Sequence, residues 1–279
     1  MFKKAKIGMV LSSILALTLV ISGCGTATTD NTESQNSSMN EKVPATAQTV
    51  ELTVSAAASM TDALKEIQMA YETKYPNIKL NFNFGASGAL QQQIEQGAPA
   101  DLFLSAATKN MKALVDKQLI DANQQKNVLS NELVAVVSAE GQTAVDGFAD
   151  LSNSDVKNIA IGIPESVPAG GYAKEALTSV NLWDSLQSKM VQAKDVRQVL
   201  QYVETGNSDV GFVYRTDALT SDKVKIAFAV DPNTYTPVEY PIGIVKATKH
   251  SKEAEDFYTY LQTQEALDVF IKYGFSVLK

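Results

Sequence analysis

From Val50 onward, short apolar runs rich in β-branched residues alternate with amphipathic stretches, and no other feature of this 279-residue chain narrows its fold as much. Parallel strands need long crossovers, which helices supply, so the alternation predicts βαβ units around mainly parallel sheets. Candidate strands are 51–55, 79–84, 101–105, 133–137, 159–163, 210–214, 224–230 and 240–245. The candidate helix 61–74 sets Leu64, Ile67 and Tyr71 on one face and ends at Tyr75-Pro76. Others are 89–96, stopping at Gly97, then 172–180, 196–205 and 253–270, the last as a pair. The strands are too many for one small sheet. At about 150 residues per domain, the length also suggests two compact units.

The first 49 residues do not share this pattern. Met1-Phe2-Lys3-Lys4-Ala5-Lys6 is a positive start, residues 7–21 form an apolar run, and Ile21-Ser22-Gly23-Cys24 closes it. Fifteen residues are short for a membrane span, and the layout is that of a secretory signal. The tetrapeptide resembles a bacterial lipobox, which implies cleavage before residue 24 and lipidation of Cys24. Residues 25–49 are rich in Thr, Ser, Asn, Gln and Ala with no periodicity, so they read as a flexible tether. The expected location is extracytoplasmic, anchored by Cys24 to the outer face of a Gram-positive membrane or in a periplasm.

Charge and rare residues exclude whole classes. The chain has 24 Lys+Arg against 31 Asp+Glu, a net charge of −7. Removal of residues 1–23, with three Lys and no acids, leaves 21 against 31, or −10. Such a balance argues against a nucleic-acid binder. One Cys and one His permit neither an intrachain disulfide nor a Cys/His zinc site, and no cation site or cofactor is expected.

The informative segments stand between strand and helix. Ala56-Ala57-Ala58-Ser59 follows the first strand, Gly85-Ala86-Ser87-Gly88 the second, and residues 164–171 the strand 159–163; a fourth helix opens at Asp195-Val196-Arg197. A helix start leaves its first N–H groups unpaired and carries about half a positive charge. Several such starts converging on one cleft would hold an anion without Lys or Arg. Taken singly, Ser59, Ser87 and Asp195 read as N-caps and residues 168–171 as a turn.

Taken together, these segments and Gly97-Ala98-Pro99-Ala100-Asp101-Leu102-Phe103-Leu104-Ser105-Ala106, Gly211-Phe212-Val213-Tyr214 and Tyr273-Gly274-Phe275 occur in the order seen in the molybdate-binding proteins of bacterial ABC importers. The resemblance covers residues 50–279. It implies a two-lobed periplasmic-binding-protein fold of type II, each lobe a mainly parallel sheet flanked by helices. Two crossovers are expected near 133–137 and 240–245, with lobe one as 50–132 plus 243–279 and lobe two as 138–238. The resemblance further implies a ligand, molybdate or tungstate, held by N–H and Oγ of Ser59 and Ser87, by the N–H groups of Ala169 and Val196, and by the phenol of Tyr214. Gly88 stands where the family often has Ser, which would remove an auxiliary donor. Arg197, one position past a proposed donor, is expected to point away to a surface carboxylate. The implied partners are an ABC permease with its ATPase, and the protein is expected to be a monomer.

Rival readings remain at the level of sequence. Another tetrahedral oxyanion such as sulfate would suit the same donors. A serine hydrolase is disfavoured, because neither serine loop reads Gly-x-Ser-x-Gly and the one histidine, His250, sits in a polar stretch. A purely adhesive lipoprotein would have no use for ordered anion loops.

Overall fold

In the computed structural model, which describes residues 49–278, the alternation resolves into two sheets, each with helices packed against it. The strands are β1 (Val50–Ala57), β2 (Ile78–Gly85), β3 (Leu102–Leu104), β4 (Ile120–Asn131), β5 (Leu133–Ser138), β6 (Ile159–Gly162), β7 (Met190–Ala193), β8 (Val210–Tyr214), β9 (Val224–Ala229), β10 (Val238–Val245) and β11 (Ser276–Val277). The helices are α1 (Thr61–Lys74), α2 (Ser87–Glu95), α3 (Thr108–Asp116), α4 (Pro168–Ser179), α5 (Trp183–Leu186), α6 (Val196–Glu204), α7 (Arg215–Ala218), α8 (Ser251–Tyr260) and α9 (Gln264–Lys272).

One sheet has the order β11-β4-β10-β3-β1-β2, the other β7-β6-β8-β5-β9. In the first, β1 runs parallel to β2 and β3, whereas β10 is antiparallel to both β3 and β4. In the second, β6 is parallel to β7 and β8, and β5 is antiparallel to β8 and β9. The chain leaves the first sheet after Asn131 and enters the second at Leu133, so Glu132 alone makes the first passage. The return falls earlier than expected. β10 lies along its whole length in the six-stranded sheet, so residues 230–237 connect the sheets and 240–245 do not.

Strands buried on both faces read as continuous apolar runs. That is why β5, buried from Leu133 to Val137, stood out as an unbroken apolar run, whereas β1 alternates, with Leu52, Val54 and Ala56 buried on one face. β4 did not stand out, because its residues 121–127 are polar apart from Ala122 and no better than half-buried; pairing with β10 and β11 makes it a strand. Helix α6 buries Val196, Val199, Leu200 and Val203, the i, i+3, i+4, i+7 stripe of a core-facing helix. Its N-cap is Asp195, whose Oδ1 accepts the Gln198 N–H at 2.9 Å.

Two helices start earlier than the sequence suggested, and both differences matter for function. α2 begins at Ser87, and α4 begins at Pro168, which takes the N1 position that suits proline. Gly170 and Gly171 read as turn residues. Gly170 instead permits close approach, since a Cβ there would fall on the Gly162 carbonyl at the end of β6. This packing draws the α4 start down onto its sheet.

Candidate functional site

The starts of α2, α4 and α6 and the short helical turn ahead of α1 converge between the two sheets. They surround a small cavity lined by residues 57–59, 85–87, 106, 167–169, 196 and 214. Ser59, Ser87, Ala169, Val196 and Tyr214, the five residues singled out in the sequence, all line it. Larger hollows lie elsewhere, such as one of about 870 Å³ bounded by Lys109, Glu165, Lys174 and Glu175, but none of these helix starts opens into it.

Backbone donors follow from helix geometry. The first i to i−4 bonds are Leu90 N–H to the Ala86 carbonyl, Gly171 N–H to Val167, and Val199 N–H to Asp195. Ser87, Ala169 and Val196 precede those bonds, so their N–H groups have no partner inside their own helices. Neither serine is an N-cap: the caps are Ala57 and Ala86, with no side-chain capping bond at either helix. Their hydroxyls are therefore available for something else.

Each hydroxyl is engaged in a definite way. Ser87 Oγ accepts the Ala106 N–H at 2.9 Å, which leaves its own proton free. Ser59 Oγ lies 2.9 Å from the Tyr240 hydroxyl, and both residues are buried. Tyr214, at the end of β8, is 1% exposed, and its hydroxyl has no hydrogen-bond partner among the described residues. A buried hydroxyl without a partner is costly, so an orphan facing a cavity points to a ligand. Burial drives the phenols of Tyr214 and Tyr240 far above their ordinary pKa, so both keep their protons as donors.

The lobes touch around the cavity. Gly88 N–H donates to the Ser166 carbonyl at 2.9 Å, and the Tyr172 hydroxyl donates to the Ala106 carbonyl at 3.4 Å. Gly88 is thus a point of contact rather than a place where a donor is missing. A Cβ on it would stand 2.6 Å from the Ser166 carbonyl oxygen. Arg197 does meet carboxylates, but not at an open surface. It pairs with Asp62 of α1 at 2.6 Å, across the cleft, and with the fully buried Asp217 at 2.7 Å. Burial alone would lower its pKa; Asp217 and Asp62 outweigh that and raise it. Burial pushes the Asp217 carboxyl up to about 6, against the pull of Arg197 and of the Tyr214 N–H.

Three contributors were not legible beforehand. Ala106, Tyr240 and Asn131 stand in no motif that assigns them a role, and the Ser59–Tyr240 contact joins positions 181 apart. Only the placement of β10 beside β3 brings it about.

Two sheet-bearing lobes joined by two passages, with a small cavity lined by helix starts and hydroxyls between them, are the frame of a solute-binding protein. Among the described residues, Ser59 Oγ meets the Tyr240 hydroxyl and Ser87 Oγ the Ala106 N–H. The chain belongs to the bacterial extracellular solute-binding proteins, whose family model matches residues 52–276. It is 50% identical over 278 residues to a putative ABC transporter substrate-binding lipoprotein of Bacillus subtilis, YvgL, covering 99% of each chain. It is 39% identical over 236 residues to the molybdate-binding protein ModA of Haemophilus influenzae, covering 82% of this chain and 91% of that one. Among solved structures, the substrate-binding domain of a putative molybdenum ABC transporter from Clostridium difficile is 44% identical, with a TM-score of 0.64. That match covers 83% of this chain and all of the other.

Proposed function

We propose that this chain is the extracytoplasmic solute-binding component of an ABC importer, capturing molybdate, and equally tungstate, in the interlobe cavity and delivering it to a permease with its ATPase. The observation that carries this reading is the Tyr214 hydroxyl, without a partner among the described residues and buried on the wall of a cavity where Ser87 also has a proton to give. The names of the relatives point to the same solute. In this reading Ser59 and Ser87 supply N–H and Oγ, Ala169 and Val196 supply N–H, and Tyr214 supplies O–H.

The donors come from both lobes, so a tetrahedral dianion gains most when the lobes meet and shifts the population toward that state. An anion that also carries a proton needs an acceptor, and no carboxylate lines the cavity. Residues 1–48 lie outside the described residues. For them the proposal is a cleaved signal, 1–23, and a tether, 24–49, anchored through a lipid on Cys24, a reading that the lipoprotein name of the Bacillus subtilis relative supports.

Calorimetric titration of residues 50–279 with molybdate, tungstate, sulfate and phosphate tests the ligand. Molybdate and tungstate should bind alike and far more tightly than the other two; tight sulfate binding with no molybdate response would refute the assignment. Tyr214→Phe should weaken molybdate binding by about 1.5–3 kcal/mol, the worth of a hydrogen bond to a charged group, with the unliganded fold retained. An unaltered affinity would remove Tyr214 from the site.

A further inference from the structure

The Ser59 hydroxyl can donate to a ligand or to Tyr240, and which it does is decided by residues outside the cavity wall. Glu132 N–H donates to Asn131 Oδ1 at 2.9 Å. A backbone N–H can only donate, so this bond fixes the amide, with its oxygen toward Glu132 and its nitrogen on the other side. Asn131 Nδ2 has two hydrogens and two acceptors in reach, Thr216 Oγ1 at 2.9 Å and the Tyr240 hydroxyl oxygen at 3.2 Å. With its oxygen accepting from Asn131, Tyr240 turns its own proton to Ser59 Oγ, 2.9 Å away. Ser59 is then the acceptor in that bond, and its proton is left for the cavity.

We propose that Tyr240 and Asn131 are positioning residues of the anion site, which together commit the Ser59 hydroxyl to donating into the cavity. The chain of donors starts at the passage between the lobes. Asn131 is the last residue of β4, next to Glu132, and its one amide joins Tyr240 on β10 of the first lobe to Thr216 on α7 of the second. Tyr240 is wholly buried and Asn131 lines no part of the cavity, so neither has to touch the ligand to act on it. Hydrogen bonds in series polarise one another, and a donor held in direction needs no reordering when the anion arrives.

The inference rests on the anion-site reading, and a double-mutant cycle read by calorimetry with sodium molybdate separates the two. Tyr240→Phe should lower molybdate affinity about 3- to 10-fold, the equivalent of one ordinary hydrogen bond. In a Ser59→Ala background the same substitution should change affinity less than about twofold, because no hydroxyl remains to be directed. Asn131→Ala should follow the same rule with a smaller effect. Loss of packing alone would weaken binding equally with and without Ser59, so equal effects in the two backgrounds overturn the proposal, as does unaltered affinity in Tyr240→Phe. If the wild-type protein binds sulfate instead of molybdate, the ligand assignment fails and the cycle run with sulfate decides the positioning role. If it binds neither, both fall.

Discussion

Substituting Gly88 by alanine should separate ligand affinity from fold stability in opposite directions. Gly88 is the second residue of α2, and its N–H meets the Ser166 carbonyl across the cleft. An added Cβ would lie 2.6 Å from that oxygen and 2.9 Å from Ser166 Cα, both backbone atoms that no rotamer change can move. Forcing a methyl group into such a contact costs about 1–3 kcal/mol, and the stretched hydrogen bond loses about 0.5–1.5 kcal/mol more. The penalty falls only on the conformation in which the lobes touch. With roughly 2–4 kcal/mol removed from closure, molybdate affinity should fall about 30- to 1,000-fold. In any conformation with Ser166 withdrawn, alanine is the better helix residue by about 0.5–1 kcal/mol, so the unliganded protein should melt no lower than wild type. Titration calorimetry gives the first quantity and scanning calorimetry without ligand the second. An affinity within threefold of wild type would show that the Gly88 contact is not part of the ligand-binding conformation.

Asp217 should make stability depend on pH with the sign opposite to that of an ordinary paired carboxylate. Its folded pKa, raised to about 6 from 3.8, means that the folded protein holds a proton the unfolded chain lacks between those values, so its contribution is lost as pH rises through 6. Urea unfolding should show wild type gaining about 1 kcal/mol over Asp217→Asn between pH 7 and pH 5, and a constant difference would contradict the assignment. Separately, Cys24→Ser should move the protein from the membrane fraction to the soluble one, and continued lipid labelling of that variant would disprove the anchor.

What the sequence revealed was local. A strand running into Ala-Ala-Ala-Ser or Gly-Ala-Ser-Gly and then a helix states its own geometry within a dozen residues, so the helix starts were legible, although Ser59 and Ser87 taken singly read as N-caps and their ligand role came only through the resemblance. Tyr214 and Val196 came through the resemblance, each carried by a short segment that ends a strand or opens a helix. The α4 start was misread because Gly170 and Gly171 are turn formers in isolation. Their role depends on Gly162, a contact made only when β6 and α4 pack together. Arg197 was misjudged for the same reason, since its position on α6 is local but Asp62 arrives from another lobe. Tyr240 and Asn131 were invisible. Their meaning depends on β10 entering the first sheet between β3 and β4, a pairing no residue pattern in β10 specifies.

The charge count and the site fit together once Arg197 is placed. A chain of net charge −7, or −10 without residues 1–23, cannot collect a dianion by long-range attraction. Arg197, next in sequence to the cavity-lining Val196, does not supply that attraction either, because Asp62 and Asp217 take up its charge at 2.6 and 2.7 Å. Arg197 holds the lobes together instead; being three-quarters buried, its ion pairs are weakly screened and worth more than an exposed pair. Among the described residues, no Lys, Arg, Asp or Glu lines the wall itself. In the proposed site, what is left for the anion is a set of fixed dipoles: helix starts, two serine hydroxyls and one phenol without a partner among the described residues. Such dipoles are weak in water and strong where water is excluded, so binding strength depends on closure. A loose ring of lysines would hold sulfate, phosphate and molybdate alike. On this proposal, dipoles fixed around one tetrahedral dianion discriminate by fit, and the contacts made where the lobes meet, Gly88 against Ser166 and Arg197 against Asp62, become part of the specificity.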